Sequence, residues 1–234
     1  MTDDRKSGFA FIAGSLGGIV TMAIHPTAGS AALTPDQIEH LATMSGIAHS
    51  IALVSFLLLF LGAIGLTRRL ASRENPANPD RLALVALAVY AFAAVALMLA
   101  TSVSGFIIPG VMRHMMLDSA ANAPQWRLVI DAIFQFNQAF ARIYSVAASL
   151  AILLWSIAAL RHGGISRAIS IYGCIISPVI IILIAVGHLR LNVHGMAIVV
   201  LAHAIWLIIA AIELLRHPDP NPVPNSAPNP ASLK

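Results

Sequence analysis

Leu82 to Met112 reads LALVALAVYAFAAVALMLATSVSGFIIPGVM and contains no Asp, Glu, Lys or Arg. About 20 apolar residues carry a helix across the hydrocarbon layer of a bilayer, so this stretch can span one with residues to spare. It is continuously apolar rather than alternating, which selects a helix over a barrel strand. Five further stretches share its character: Gly8 to Ile24, Ile47 to Thr67, Ile143 to Leu160, Ala168 to Gly187 and Gly195 to Ile212. The sequence therefore predicts an all-α integral membrane protein, a single bundle of six transmembrane helices over residues 1–216. The tail, 217–234, is rich in Pro and Asn and reads as disordered.

Composition points the same way. Charged residues make up 10% of the chain and apolar ones 58%, whereas a soluble domain carries about a quarter charged residues. A formal charge of +4 raises the question of a nucleic-acid partner, but no Lys/Arg cluster falls on a soluble domain, and the partner this composition implies is the lipid bilayer. The basic residues instead sort by side. Arg5, Lys6, Arg68, Arg69, Arg73, Arg81, Arg161, Arg167, Arg216 and Lys234 fall on one side, and only Arg113, Arg127 and Arg190 in loops on the other. By the positive-inside rule both termini lie in the cytoplasm and the chain is a multi-pass protein of the cytoplasmic membrane.

Local signals refine the spans. Thr34, Pro35 and Gln37 form a capping-box pattern, so the second helix starts outside the membrane; Pro124 likewise opens a fourth helix too long for the bilayer. Pro109-Gly110 is expected to close the third helix, and Ser177-Pro178 invites a kink in the fifth. The first span has the look of a leader, with Ser30-Ala31-Ala32 after it, but Gly14 to Gly18 gives it a close-packing face that favours retention. The single cysteine, Cys174, excludes an internal disulfide and a Cys-based zinc site.

Polar residues inside spans are costly and so carry the functional signal. In the fourth helix Asp131, Gln135, Gln138, Arg142, Ser145 and Ser149 share one face, pointing into the bundle or a water-filled cavity; Asn137 interrupts that stripe. The plainer reading has Asp131 and Gln135 above the membrane and Arg142 snorkelling to headgroups. Histidines gather towards the outer side. His25 ends a small-residue stripe on the first helix, Ser45 and His49 are an i, i+4 pair on the second, and His188 follows Ser177 on the fifth. Tyr90, Thr101 and Ser104 lie along the third. His194 and His203 fall on opposite faces of the sixth.

Converging imidazoles can bind a metal or haem iron. The expectation is a periplasmic-side pocket with His49, His188 and His25 as cofactor or metal ligands and Arg142 meeting an anionic group such as a propionate or a quinone oxygen. Asp131, Gln135, Gln138, Ser145, Ser149, Tyr90, Thr101, Ser177, His194 and His203 would line it. No paired-His motif, haem-attachment motif, Ser-His-acid order or phosphate loop is present, so a hydrolase or kinase has no support. Three classes remain: a redox protein holding haem or a metal, a carrier of a small molecule in the same pocket, and a membrane assembly subunit whose stripes are only helix contacts.

Overall fold

A computed structural model describes residues 3–26, 34–73, 81–119 and 122–216. The Pro-rich tail and the Ser30-Ala31-Ala32 segment lie outside the described residues. Among those described, the chain is helical throughout: α1 (Asp3–Ile24), α2 (Pro35–Ala71), α3 (Leu82–Ser102), a π turn (Val103–Ile107), α4 (Ile108–Leu117), α5 (Ala123–His162), α6 (Arg167–Ala185) and α7 (Val193–Arg216). With α3, the π turn and α4 joined in one rod, six helices are long and apolar enough to cross a membrane.

The ends follow from local chemistry. Thr34 and Gln37 form the reciprocal capping box: the Thr34 N–H donates to Gln37 Oε1 at 2.9 Å, the Gln37 N–H donates to Thr34 Oγ1 at 3.4 Å, and Pro35 opens the helix. α5, 40 residues long, is about 60 Å from end to end, twice the hydrocarbon thickness. Ahead of it Asp118 accepts hydrogen bonds from Trp126 Nε1 at 2.8 Å and from Asn122. α6 runs on through Pro178.

The expectation that Pro109-Gly110 ends the third helix is overturned. The rod widens for one turn instead. Ile108 N–H donates to Val103 O, five residues back, and this register makes room for the Pro109 ring, which an α turn would drive into the carbonyl four residues before it. One carbonyl is stranded as a result. Ser104 O has lost Ile108 N–H to Val103, and its π-register donor would be the N–H that Pro109 lacks. The Ser45 hydroxyl of α2 donates to it at 3.1 Å. Gly105 stands on the same turn, where an added Cβ would collide with His49 Cβ; the turn therefore seats His49.

The rods close into a ring. α1 packs on α2 and α7, α2 on α3, α3 on α5, α5 on α6 and α6 on α7, with little contact across. Small residues let the helix backbones meet. A methyl on Gly14 would stand 2.7 Å from Ser55 O, and one on Gly62 2.5 Å from Phe11 Cδ1. At the end where α1 begins and α7 ends the ring is filled. Trp155 and Trp206 stack at 6.1 Å, Tyr90 packs on Trp155, and both indoles donate inside the bundle, Trp155 to Thr67 Oγ1 and Trp206 to Ser156 Oγ, each at 3.1 Å. Arg69 and Asp4 pair at 3.3 Å beneath them, joining α1 to α2.

Candidate functional site

Above this floor the ring encloses a cavity of about 460 Å³. Along α2 its wall runs from Ile38 to Leu59, about 30 Å of helix axis. α1, α2, the α3–α4 rod, α5 and α7 contribute; no residue of α6 does. The lining is mostly apolar and, among the described residues, includes no Asp, Glu, Lys or Arg.

Two imidazoles sit towards the end where α2 begins and α1 ends. His49, on α2, is buried, and its Nδ1 lies 2.7 Å from Ser45 O. A carbonyl only accepts, so Nδ1 carries the proton and Nε2 keeps its lone pair. His25, just past α1, has Nδ1 3.0 Å from Pro26 O and is held in the same tautomer. The two rings meet edge-on with centroids 5.0 Å apart.

A third imidazole lies deeper. His203 on α7 is 3% exposed; its Nε2 is 2.9 Å from Ser149 Oγ on α5, and the Tyr144 ring is edge-on to it at 6.4 Å. Its other nitrogen, Nδ1, is buried without a hydrogen-bond partner among the described residues. Two more buried atoms share that condition among the described residues and belong to residues that line the same cavity: Ser15 Oγ on α1 and Asn137 Oδ1 on α5. Ser177 Oγ is likewise unpartnered, but on α6, away from the cavity.

Of the residues expected at the site, His25, His49, His203, Gln138 and Thr101 line the cavity. Gln138 Nε2 also donates to Leu191 O at 3.3 Å, tying α5 to the segment before α7. His188 does not join them: it is exposed beyond the end of α6. Arg142, Asp131, Gln135 and His194 are exposed and do not line the cavity. Ser145 is buried but donates to Ala141 O of its own helix, Ser149 reaches the cavity only through His203, and Tyr90 belongs to the tryptophan floor.

The reason is angular. The cavity face of α5 is Phe134, Asn137, Gln138, Ala141 and Tyr144, rotated by roughly 80° from the Asp131–Ser149 stripe at 100° per residue. Asn137, which interrupted the stripe, marks the face that matters. Sequence reasoning also passed over Ser15, Tyr144, Met22 and Met112. For Tyr144 the signal was the spacing of 134, 137, 138, 141 and 144, a polar and aromatic face set in apolar surroundings; Ser15, Met22 and Met112, on α1 and α4, carried no such pattern.

Haem fits these residues poorly. Among the described residues no cation lines the cavity to meet propionates. Two imidazoles on opposite faces of one iron would stand more than about 6 Å apart, centre to centre, with iron–nitrogen bonds near 2 Å, against the 5.0 Å between His25 and His49. Comparison with known protein families, curated proteins and solved structures gives no match.

Proposed function

We propose that the chain is a six-span protein of the cytoplasmic membrane, both termini inside, whose outward-opening cavity binds a neutral, largely apolar small molecule carrying a hydrogen-bonding head. Quinones are the class that fits best. Membrane insertion is supported by large apolar side chains exposed on the outside of all six rods, among them Phe9, Leu57, Phe92, Phe136, Ile175 and Ile198, far more than a water-facing surface tolerates in contiguous patches. The basic-residue asymmetry orients the cavity mouth to the periplasm.

The observation that supports the ligand is the trio of atoms left unpartnered among the described residues, Ser15 Oγ, Asn137 Oδ1 and His203 Nδ1, on three residues that line one cavity whose described wall carries no charge. Leaving a buried polar atom unpaired costs about 1–3 kcal/mol, and a molecule bearing a carbonyl or hydroxyl relieves that cost when bound. The absence of lining charge excludes anions from the same fit, because nothing there replaces their hydration. Retention of such a molecule serves either carriage or presentation to a partner enzyme.

The test is binding of decylubiquinone to the detergent-purified chain, followed by quenching of tryptophan emission. His203→Leu should weaken binding by roughly tenfold or more, the value of one buried hydrogen bond, while Ser149→Ala, which removes the same contact between α5 and α7 but leaves the imidazole, should keep it. Decanoate, similar in its tail but anionic, should not compete. Equal affinity of the parent and His203→Leu proteins, or competition by decanoate, would refute the reading.

A further inference from the structure

The paired imidazoles at α1 and α2 take no part in the proposal above, and their chemistry differs from that of the deeper cavity. Each ring spends its Nδ1–H on a main-chain carbonyl, His49 on Ser45 O at 2.7 Å and His25 on Pro26 O at 3.0 Å. Metal-binding histidines are oriented in the same manner: the second nitrogen donates to a carbonyl or carboxylate, which fixes the tautomer and raises the basicity of the ligating nitrogen. Neither Nε2 makes a hydrogen bond within the described residues.

The spacing agrees with a shared ion. Two imidazoles bound through Nε2 at about 2 Å, with the ring centre about 1 Å further on, stand 5.0 Å apart when the angle at the ion is roughly 113°. Gly105 is what brings the pair to this position, because any side chain there would displace the His49 ring.

The surroundings choose the ion. The desolvation cost of an ion grows as the square of its charge, so a site with no lining carboxylate or thiolate disfavours a divalent cation far more than a monovalent one. Four-coordinate zinc is further disfavoured, since among the described residues no group of three or more His, Cys, Asp or Glu is gathered. What the wall adds is sulfur. Met22, one turn before His25, lines the cavity and is half-buried, as is Met112 on α4. Thioether and imidazole donors without carboxylate suit cuprous copper. We infer that His25 and His49 bind one Cu(I) ion at the cavity mouth, with the Met22 thioether as third donor.

This inference stands apart from the ligand proposed for the deeper cavity, and a single set of variants separates the two. The detergent-purified full chain is titrated with Cu(I) under anaerobic conditions against bicinchoninate as a coloured competitor. One equivalent should bind. His25→Ala, just past the end of α1, and His49→Gln should each weaken it by at least about 100-fold, more than loss of a merely supporting residue usually does. Met22→Leu should weaken it less, and His194→Ala, exposed away from the cavity, not at all. His203→Leu should keep copper while losing decylubiquinone. Unchanged copper affinity in His25→Ala, equally tight binding of Zn(II), or loss of copper in His203→Leu overturns the assignment.

Discussion

The stranded carbonyl of the π turn gives the sharpest prediction. Ser104 O has one donor, the Ser45 hydroxyl at 3.1 Å, because Ile108 N–H is committed to Val103 O and Pro109 has no N–H. Ser45→Ala removes that donor in a setting where water is a poor substitute. The carbonyl is only partly enclosed, so the lower part of the usual 1–3 kcal/mol range applies, about 1–2 kcal/mol, and the better helix propensity of Ala returns about 0.5 kcal/mol. The expected net loss is roughly 1 kcal/mol. His49 keeps its stronger bond to Ser45 O, so the loss belongs to the turn. The diagnostic step is to repeat the substitution with Pro109→Ala, which supplies an N–H in the i−5 register of Ser104. In that background Ser45→Ala should cost close to nothing, a coupling of about 1 kcal/mol between residues on different helices. Reversible unfolding in mixed micelles, monitored by tryptophan emission, measures all four proteins. Equal costs in both backgrounds would sink the account of why the rod widens here.

Three further outcomes follow from the geometry. Gly62→Val thrusts a branched side chain into the Phe11 ring, 2.5 Å from where its Cβ would stand, and should destabilise the ring of helices by about 1–3 kcal/mol in the same unfolding assay. Arg142→Leu should leave decylubiquinone affinity within about twofold, since the side chain is exposed and off the cavity wall and exposed substitutions usually act weakly; a larger loss would restore this cation to the site. For Asp118, hydrogen bonds from Trp126, then Asn122 and the Ser119 amide, hold the carboxyl below its ordinary range. A depressed folded pKa means that the stabilisation is present above the unfolded value and lost as pH falls through the folded one. Acidification below about pH 4 should therefore loosen the start of α5 and shift Trp126 emission, and Asp118→Asn should abolish that pH dependence.

The spans were legible because crossing hydrocarbon demands length and apolarity, and both are written locally: Leu82 to Met112 needs no tertiary information. The Thr34–Gln37 box was legible for the same reason, as it closes within four residues. His25 and His49 could be brought together in prospect because each ends or sits on a small-residue face. His188 could not be placed that way, since its apparent stripe on α6 depended on the helix continuing past Ala185, and the chain turns at Gly187 with φ of 77°. Arg142 misled by type: a charge within a span suggests function, but its direction is set by the rotation of α5 against four neighbours, which no pattern along α5 alone records. The π turn was hidden too, because Pro109 signals only that an α turn cannot persist, and the group that takes up the carbonyl stranded by the wider turn, the Ser45 hydroxyl, lies across the interface on α2.

The absence of formal charge from the cavity wall also has an electrical meaning. A membrane potential acts on translocated charge at about 2.3 kcal/mol per elementary charge per 100 mV. A neutral occupant entering a wall of imidazoles, amides, hydroxyls and hydrocarbon moves none through that field. Its occupancy would follow concentration in the membrane and remain unchanged whether the cell is energised or depolarised. Replacing Asn137 by Asp would end that indifference, placing a titratable carboxyl within the field and making occupancy respond to voltage and to external pH together.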